Sequence, residues 1–185
     1  MKRIAILLCA LVLLCGCSGK NQQIDRAMEL RSKLLAKSVS FDAQVTADYG
    51  DKTYTFTMNC VADTQGNLTF TVIEPELISG ITGTVSATGG KLKFDDVALG
   101  FDLMADAQFS PVSAPWILVK SLRSGYLTSC NQEGDSFRIS IDDSYADDAL
   151  HLDVWLNGED TPEQADVFWK GRRLLTISVK NFTFL

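Results

Sequence analysis

The chain holds one histidine, four prolines and five cysteines in 185 residues, and each scarcity closes off a kind of chemistry. A single histidine, His151, must fill every role that needs an imidazole near neutral pH. It stands beside Asp153 and Trp155 on the solvent side of a strand-like run, and no nucleophile-elbow motif occurs. It therefore reads as a surface residue rather than a general base. There is no C-x-x-C pair and no Cys/His cluster, which removes the usual zinc sites. Asp142-Asp143 and Asp147-Asp148 flank Ser144-Tyr145-Ala146 without EF-hand spacing, so they read as a solvated turn rather than a calcium loop. Gly80, Gly83, Gly89 and Gly90 do not make a phosphate loop and read as strand bends and turns. No catalytic residue, metal or cofactor is expected. Basic residues are outnumbered 17 to 23, for a net charge of −6, so phosphate backbones repel the chain and nucleic acid is excluded as a partner. The only long apolar run, residues 4–14, is shorter than the roughly 20 residues a membrane-spanning helix needs.

That run is nevertheless informative. Met1-Lys2-Arg3 is a basic head, the run matches a signal peptide's apolar core in length, and Leu14-Cys15-Gly16-Cys17 closes it. A small residue before Cys17 resembles the lipobox of bacterial lipoproteins. Cys15 fits that pattern worse, because bulky Leu14 precedes it. The resemblance implies that residues 1–16 are a signal peptide and that Cys17 carries the lipid as first residue of the mature chain. It also implies a cell-membrane location facing the extracytoplasmic side, in a host with one membrane or two. An ordinary cleaved signal and an N-terminal membrane helix are the alternatives. Loss of Lys2 and Arg3 takes 17 basic residues to 15 against 23 acidic, so the net charge moves from −6 to −8. Attraction to a membrane then rests on the acyl chains, at about 0.8 kcal/mol per buried methylene. Residues 17–21 are the lipidated cysteine and a short linker, Ser18-Gly19-Lys20 reaching at most roughly 10 Å. Residues 22–185 are long enough for one domain with a sizeable core. Within that domain Cys60 and Cys130 remain, as buried thiols or as a disulfide.

Asn21 is placed to cap a helix from Gln22 to Lys37, with Ile24, Ala27, Met28, Leu30, Leu34 and Leu35 on one side and an exposed Glu29–Lys33 pair on the other. Period-two alternation follows almost to the C-terminus. Phe41, Ala43 and Val45 are followed by Tyr54, Phe56, Met58 and Cys60, then by Leu68, Phe70 and Val72. Pro75 interrupts; Ile81, Val85, Leu92 and Phe94 resume the pattern. Residues 97–109 are apolar but less regular. Pro111 and Pro115 suit the start of a second helix and Gly125 its end, with Trp116, Val119 and Leu122 sharing a face. Phe137, Ile139 and Ile141, the clean alternation of Leu150 to Leu156, and the runs ending at Trp169 and Val179 complete the strands. Phe182 and Phe184 fall on the opposite parity from Val179, which predicts a bulge near Lys180-Asn181.

A helix, about five meandering strands, a second helix and about five more strands resemble the layout of the bacterial lipoprotein-carrier proteins LolA and LolB. The matching stretches are residues 30–45, the Pro75 turn into Ile78-Ser79-Gly80-Ile81, residues 110–125, and the final Asn181-Phe182-Thr183-Phe184. The resemblance implies an α+β fold, a strongly curved antiparallel half-barrel of about 10–11 strands with helices covering its concave side. It also implies a cavity for an acyl chain, a lipid or a lipopeptide, lined by Phe56, Met58, Phe70, Ile81, Phe94, Met104 and Trp116. Those residues serve equally well as a filled core, in which case the domain is an envelope protein-interaction or sensory module. In one respect the chain departs from the carriers, which hold their lid with a basic residue after the second strand: residues 62–68 contain no Arg or Lys.

Overall fold

The computed structural model describes residues 18–94, 97–105 and 108–185; residues 1–17, with Cys17 and the expected signal peptide, lie outside them. One antiparallel sheet of eleven strands dominates. Before the second helix come β1 (Val39–Asp48), β2 (Thr53–Ala62), β3 (Leu68–Glu74), β4 (Thr82–Ser86), β5 (Gly89–Phe94) and β6 (Val97–Phe101). A separate two-stranded hairpin follows, β7 (Met104–Ala105) with β8 (Gln108–Phe109). After the helix come β9 (Tyr126–Glu133), β10 (Ser136–Asp142), β11 (Leu150–Leu156), β12 (Pro162–Trp169) and β13 (Arg172–Phe184). The order β6-β5-β4-β3-β2-β1-β13-β12-β11-β10-β9 is two meanders joined where the first and last strands pair. The sheet does not close, and the fold is the curved α+β half-barrel with two helices.

Alternating side chains build it. The odd residues Phe41, Ala43, Val45 and Ala47 of β1 are buried, as are the even residues Phe56, Met58 and Cys60 of β2 and Leu150, Leu152, Val154 and Leu156 of β11. The opposite parities face water, as in an antiparallel sheet with one wet face. The predicted bulge is present. Ser40 pairs with Thr183 and Asp42 with Lys180, which leaves one extra residue on β13 at Asn181, whose φ is 54°. The slip brings Phe182 back to the inner side, where its ring stacks on Phe41 at 5.5 Å.

Helix α1 (Ser18–Ala36) begins four residues before the expected start, so the expected linker is helical; α2 is Ala114–Ser124, entered through a 3-10 turn at Pro111–Ser113 and ended at Gly125. α2 is buried along nearly its whole length. α1 is not: Ala27, Leu30 and Leu34 are buried, but Ile24, Met28 and Leu35 are 48, 46 and 57% exposed. α1 packs mainly on α2 and on the edge strand β9, which leaves the flank carrying Ile24, Met28 and Leu35 exposed among the described residues.

Two arginines bind the helices to each other reciprocally. Arg31 of α1 donates to the carbonyls of Leu122 and Gly125 at the end of α2 (2.8 and 2.7 Å). Arg123 of α2 donates to the carbonyl of Leu34 near the end of α1 (2.9 Å) and to that of Asp63 after β2 (2.6 Å). Each guanidinium satisfies helix-end carbonyls that have no partner of their own. Trp116 adds a bond from its indole to the Gly66 carbonyl at 2.9 Å. The 62–68 stretch, which lacks a basic residue, thus receives one from the helix above it.

The Asp63 carboxylate organises that turn, accepting from the backbone N–H groups of Gln65 and Asn67 and from the Asn67 amide. Partial burial works against its charge, but these bonds and the nearby Arg123 outweigh it and hold its pKa below the ordinary aspartate value. Hydrogen bonds to a charged group contribute about 1.5–3 kcal/mol, so Arg123→Ala is expected to lower unfolding free energy in urea by about 2 kcal/mol, with Arg123→Lys recovering only part. A depressed carboxylate stabilises fully above its unfolded value of about 3.9 and loses that contribution as pH falls through the folded value. Asp63→Asn is therefore expected to narrow the difference in urea midpoint between pH 7 and pH 3.

Candidate functional site

The helices cover only part of the concave face. Their contacts fall on β2, β9, β10 and β13, and the inner faces of β4, β5 and β6 extend beyond them. There the register pairs Gly90 with Phe101, Leu92 with Leu99 and Phe94 with Val97, all on the inner parity. Leu99, Val97 and Phe94 are 62, 60 and 51% exposed.

This apolar flank leads into a groove of about 600 Å³ lined by Tyr49, Tyr54, Phe56, Val72, Ile81 and Leu92 among others. The far wall is Ile78 and the Pro111-Val112 turn that leads into α2, and Asp51 and Lys52 place one charge of each sign at the rim. Tyr49 and Tyr54 meet edge to face at 6.0 Å across the β1–β2 turn, and burial pushes the Tyr49 phenol pKa up, so it stays neutral. The groove is apolar along its length with a few polar groups at the mouth, the usual composition of a small-molecule site, and its volume lies within the ~300–1,000 Å³ range of such sites. It is built to hold a flexible apolar group by burial rather than by hydrogen bonding.

The seven residues named from sequence fall in different places. Phe56 and Ile81 stand in the groove wall. Phe94 stands on the open flank beyond it. Met58 is wholly buried in the core, and the buried Phe70 ring packs against Gly83, where a Cβ would come to 2.5 Å from its tip. Trp116 lines a separate hollow of about 450 Å³ between α2 and the β2–β3 and β4–β5 turns. Met104 lies in β7, with its side chain outside the described set. The wall residues Tyr49, Tyr54, Val72, Ile78, Leu92 and Val112 were not singled out from sequence. Tyr54, Val72 and Leu92 carry the same inward parity, and that parity is the signal that pointed to them.

His151 sits on the outer face. Its Nδ1 is 2.7 Å from Asp142 and its Nε2 is 3.5 Å from Asp153, whose carboxylate also accepts the Ser140 hydroxyl at 2.5 Å. The aspartate stands between serine and histidine, so the hydroxyl meets a carboxylate rather than the imidazole of a Ser-His pair. Cys60 and Cys130 are free, and burial raises both thiol pKa values, with Arg31 opposing the rise at Cys130. Among the described residues no group of three or more His, Cys, Asp or Glu is placed to hold a metal, and no helix is long and apolar enough to cross a membrane.

No protein-family model and no curated protein matches the chain. Solved structures do match in layout. A lipoprotein-sorting domain from Vibrio parahaemolyticus, described as a putative outer-membrane one, is 9% identical and aligns over 90% of this chain and 93% of its own, with a TM-score of 0.49. A LolA superfamily protein from Nitrosomonas europaea is 10% identical over 86% of this chain and 93% of its own, TM-score 0.45. The lipoprotein LppX of Mycobacterium tuberculosis is 13% identical over 87% and 93%, TM-score 0.43.

Core and groove respond differently to truncation. Met58→Ala is expected to cost about 2–5 kcal/mol by leaving a cavity, whereas Ile81→Ala, at a half-exposed wall, is expected to cost about 1 kcal/mol. Urea unfolding of the two variants measures the contrast.

Proposed function

We propose that this protein is a membrane-anchored extracytoplasmic lipoprotein that holds the acyl chain of a lipid or lipopeptide in the groove. The observation that carries this reading is the concave apolar surface from Leu92 through Leu99 to Phe94, where Leu99 and Phe94 stand more than half exposed among the described residues. Cys17 is the attachment point on this reading. Phe56, Ile81, Leu92 and Val112 make the first contact with the chain, and the β5–β6 flank takes its further length.

Magnitudes set what fits. Each seated methylene contributes about 0.8 kcal/mol, and association costs an estimated 4–15 kcal/mol. Ten or more methylenes must be seated before binding becomes measurable, so chains of eight carbons are expected to fail and chains of sixteen to bind. A protein-interaction module is the second reading. It is favoured by β6, an uncharged strand at the end of the sheet order and so placed to pair with an added strand.

Native mass spectrometry of residues 18–185, purified without detergent, tests the choice. Added mass that denaturation releases, or uptake of palmitate but not octanoate, supports the groove reading. Leu92→Glu is expected to abolish that uptake with the far-UV circular dichroism unchanged. A clean mass with no uptake of either acid sinks it in favour of the interaction module.

A further inference from the structure

The exposed apolar residues of α1 form a row. At 3.6 residues per turn, Ile24, Met28 and Leu35 point within about 40° of one another, roughly 110° round the helix from buried Ala27, Leu30 and Leu34. A row that no described residue covers needs an occupant, and two features of this chain specify one. First, α1 begins at Ser18, the residue after Cys17, so no slack separates the helix from the attachment point proposed above. Second, positions 17, 24, 28 and 35 follow the 7-4-7 spacing by which one side of a helix repeats.

We infer that α1 lies along the bilayer surface with Ile24, Met28 and Leu35 inserted among the acyl chains, as a second membrane contact beside the lipid on Cys17. The inference rests on the anchoring part of the proposed function and not on the groove. Its physical basis is that of an interfacial helix, which presents an apolar row to the acyl boundary. Tyr126, one residue past the Gly125 carbonyl that Arg31 holds, and Tyr145 are both exposed with their rings 3.7 Å apart. Tyrosine at such a position suits the head-group level, with its ring in the apolar boundary and its hydroxyl in water. One lipid on one cysteine leaves a protein free to swivel, and a helix fixed along the surface removes that freedom. The domain is then held in one orientation to the bilayer.

The test uses the full lipidated chain, reconstituted into phosphatidylcholine–phosphatidylglycerol vesicles whose acyl chains carry bromine, which quenches tryptophan on contact. Met28→Trp is expected to add emission that is blue-shifted and loses more than half its intensity to the brominated lipid. Glu29→Trp, one residue round the helix, is expected to add emission that is not quenched. Leu35→Trp repeats the reading should Met28→Trp fail to fold. If the vesicles retain the chain and Met28→Trp and Glu29→Trp behave alike, the helix stands off the bilayer; this inference falls and the anchor remains. If the chain does not float with the vesicles, the anchor and this inference fall together. A blue shift without quenching, in a chain that sediments as a dimer, assigns the row to a second copy and also overturns the inference.

Discussion

A sheet with one apolar face needs that face covered, and here the sheet is wider than its cover. Eleven strands at ~4.8 Å spacing run roughly 48 Å along the curve, while two helices about 10 Å across shield roughly 20 Å of it. Curvature recovers part of the difference by turning the sheet's inner face upon itself. The rest must either meet water or bind something. The helices settle over β2, β13 and the β9–β10 side, so the shortfall is concentrated at β4 to β6, where Leu99, Val97 and Phe94 stand exposed. The groove is thus a consequence of where two helices can rest on eleven strands.

What keeps them at that end is polar. Arg31 and Arg123 each close the other helix's C-terminal carbonyls, and Arg123 and Trp116 tie α2 to the β2–β3 turn. The strand-side stretch 62–68 has no cation of its own; in the contact that ties it to α2 the cation is on the helix and the carbonyl on the turn. A backbone acceptor survives any side-chain substitution at Asp63, so the cationic half of the contact lies in Arg123 alone. Helix position, and with it the extent of open sheet, therefore depends on a residue well outside the groove.

Much of the fold was legible because strand parity is a local property. The break in parity between Val179 and Phe182 located the bulge, and the Pro and Gly residues around 111–125 bounded α2. Residues 97–109 were harder: apolar residues occupy both parities there, so the period that marks β6 in the structure is weak in the sequence. The groove was legible only in part, for a different reason. Parity says which face a side chain joins, but coverage decides whether that face is core or wall, and coverage is set by contacts distant in sequence. Met58 and Phe56 share one face of one strand; the first is core and the second is wall. Likewise the apolar side of α1 was read as a single stripe, and its division into a buried row and an open row depends on how the helix rests on α2 and β9.

The proposed position beside a bilayer changes what the groove must achieve. A ligand drawn from water would gain about 0.8 kcal/mol for each buried methylene, but an acyl chain already in the membrane gives up nearly the same amount on leaving it. Transfer from bilayer to groove is then close to balanced however long the chain. Direction would be decided by head-group contacts at the rim, where Asp51 and Lys52 stand, and by effective concentration, which tethering raises without any new contact. A deep, closed cavity would be needed to store a lipid against water. An open groove with an uncovered flank is sufficient to accept a chain and pass it on, and it costs the fold only the apolar exposure that eleven strands and two helices already impose.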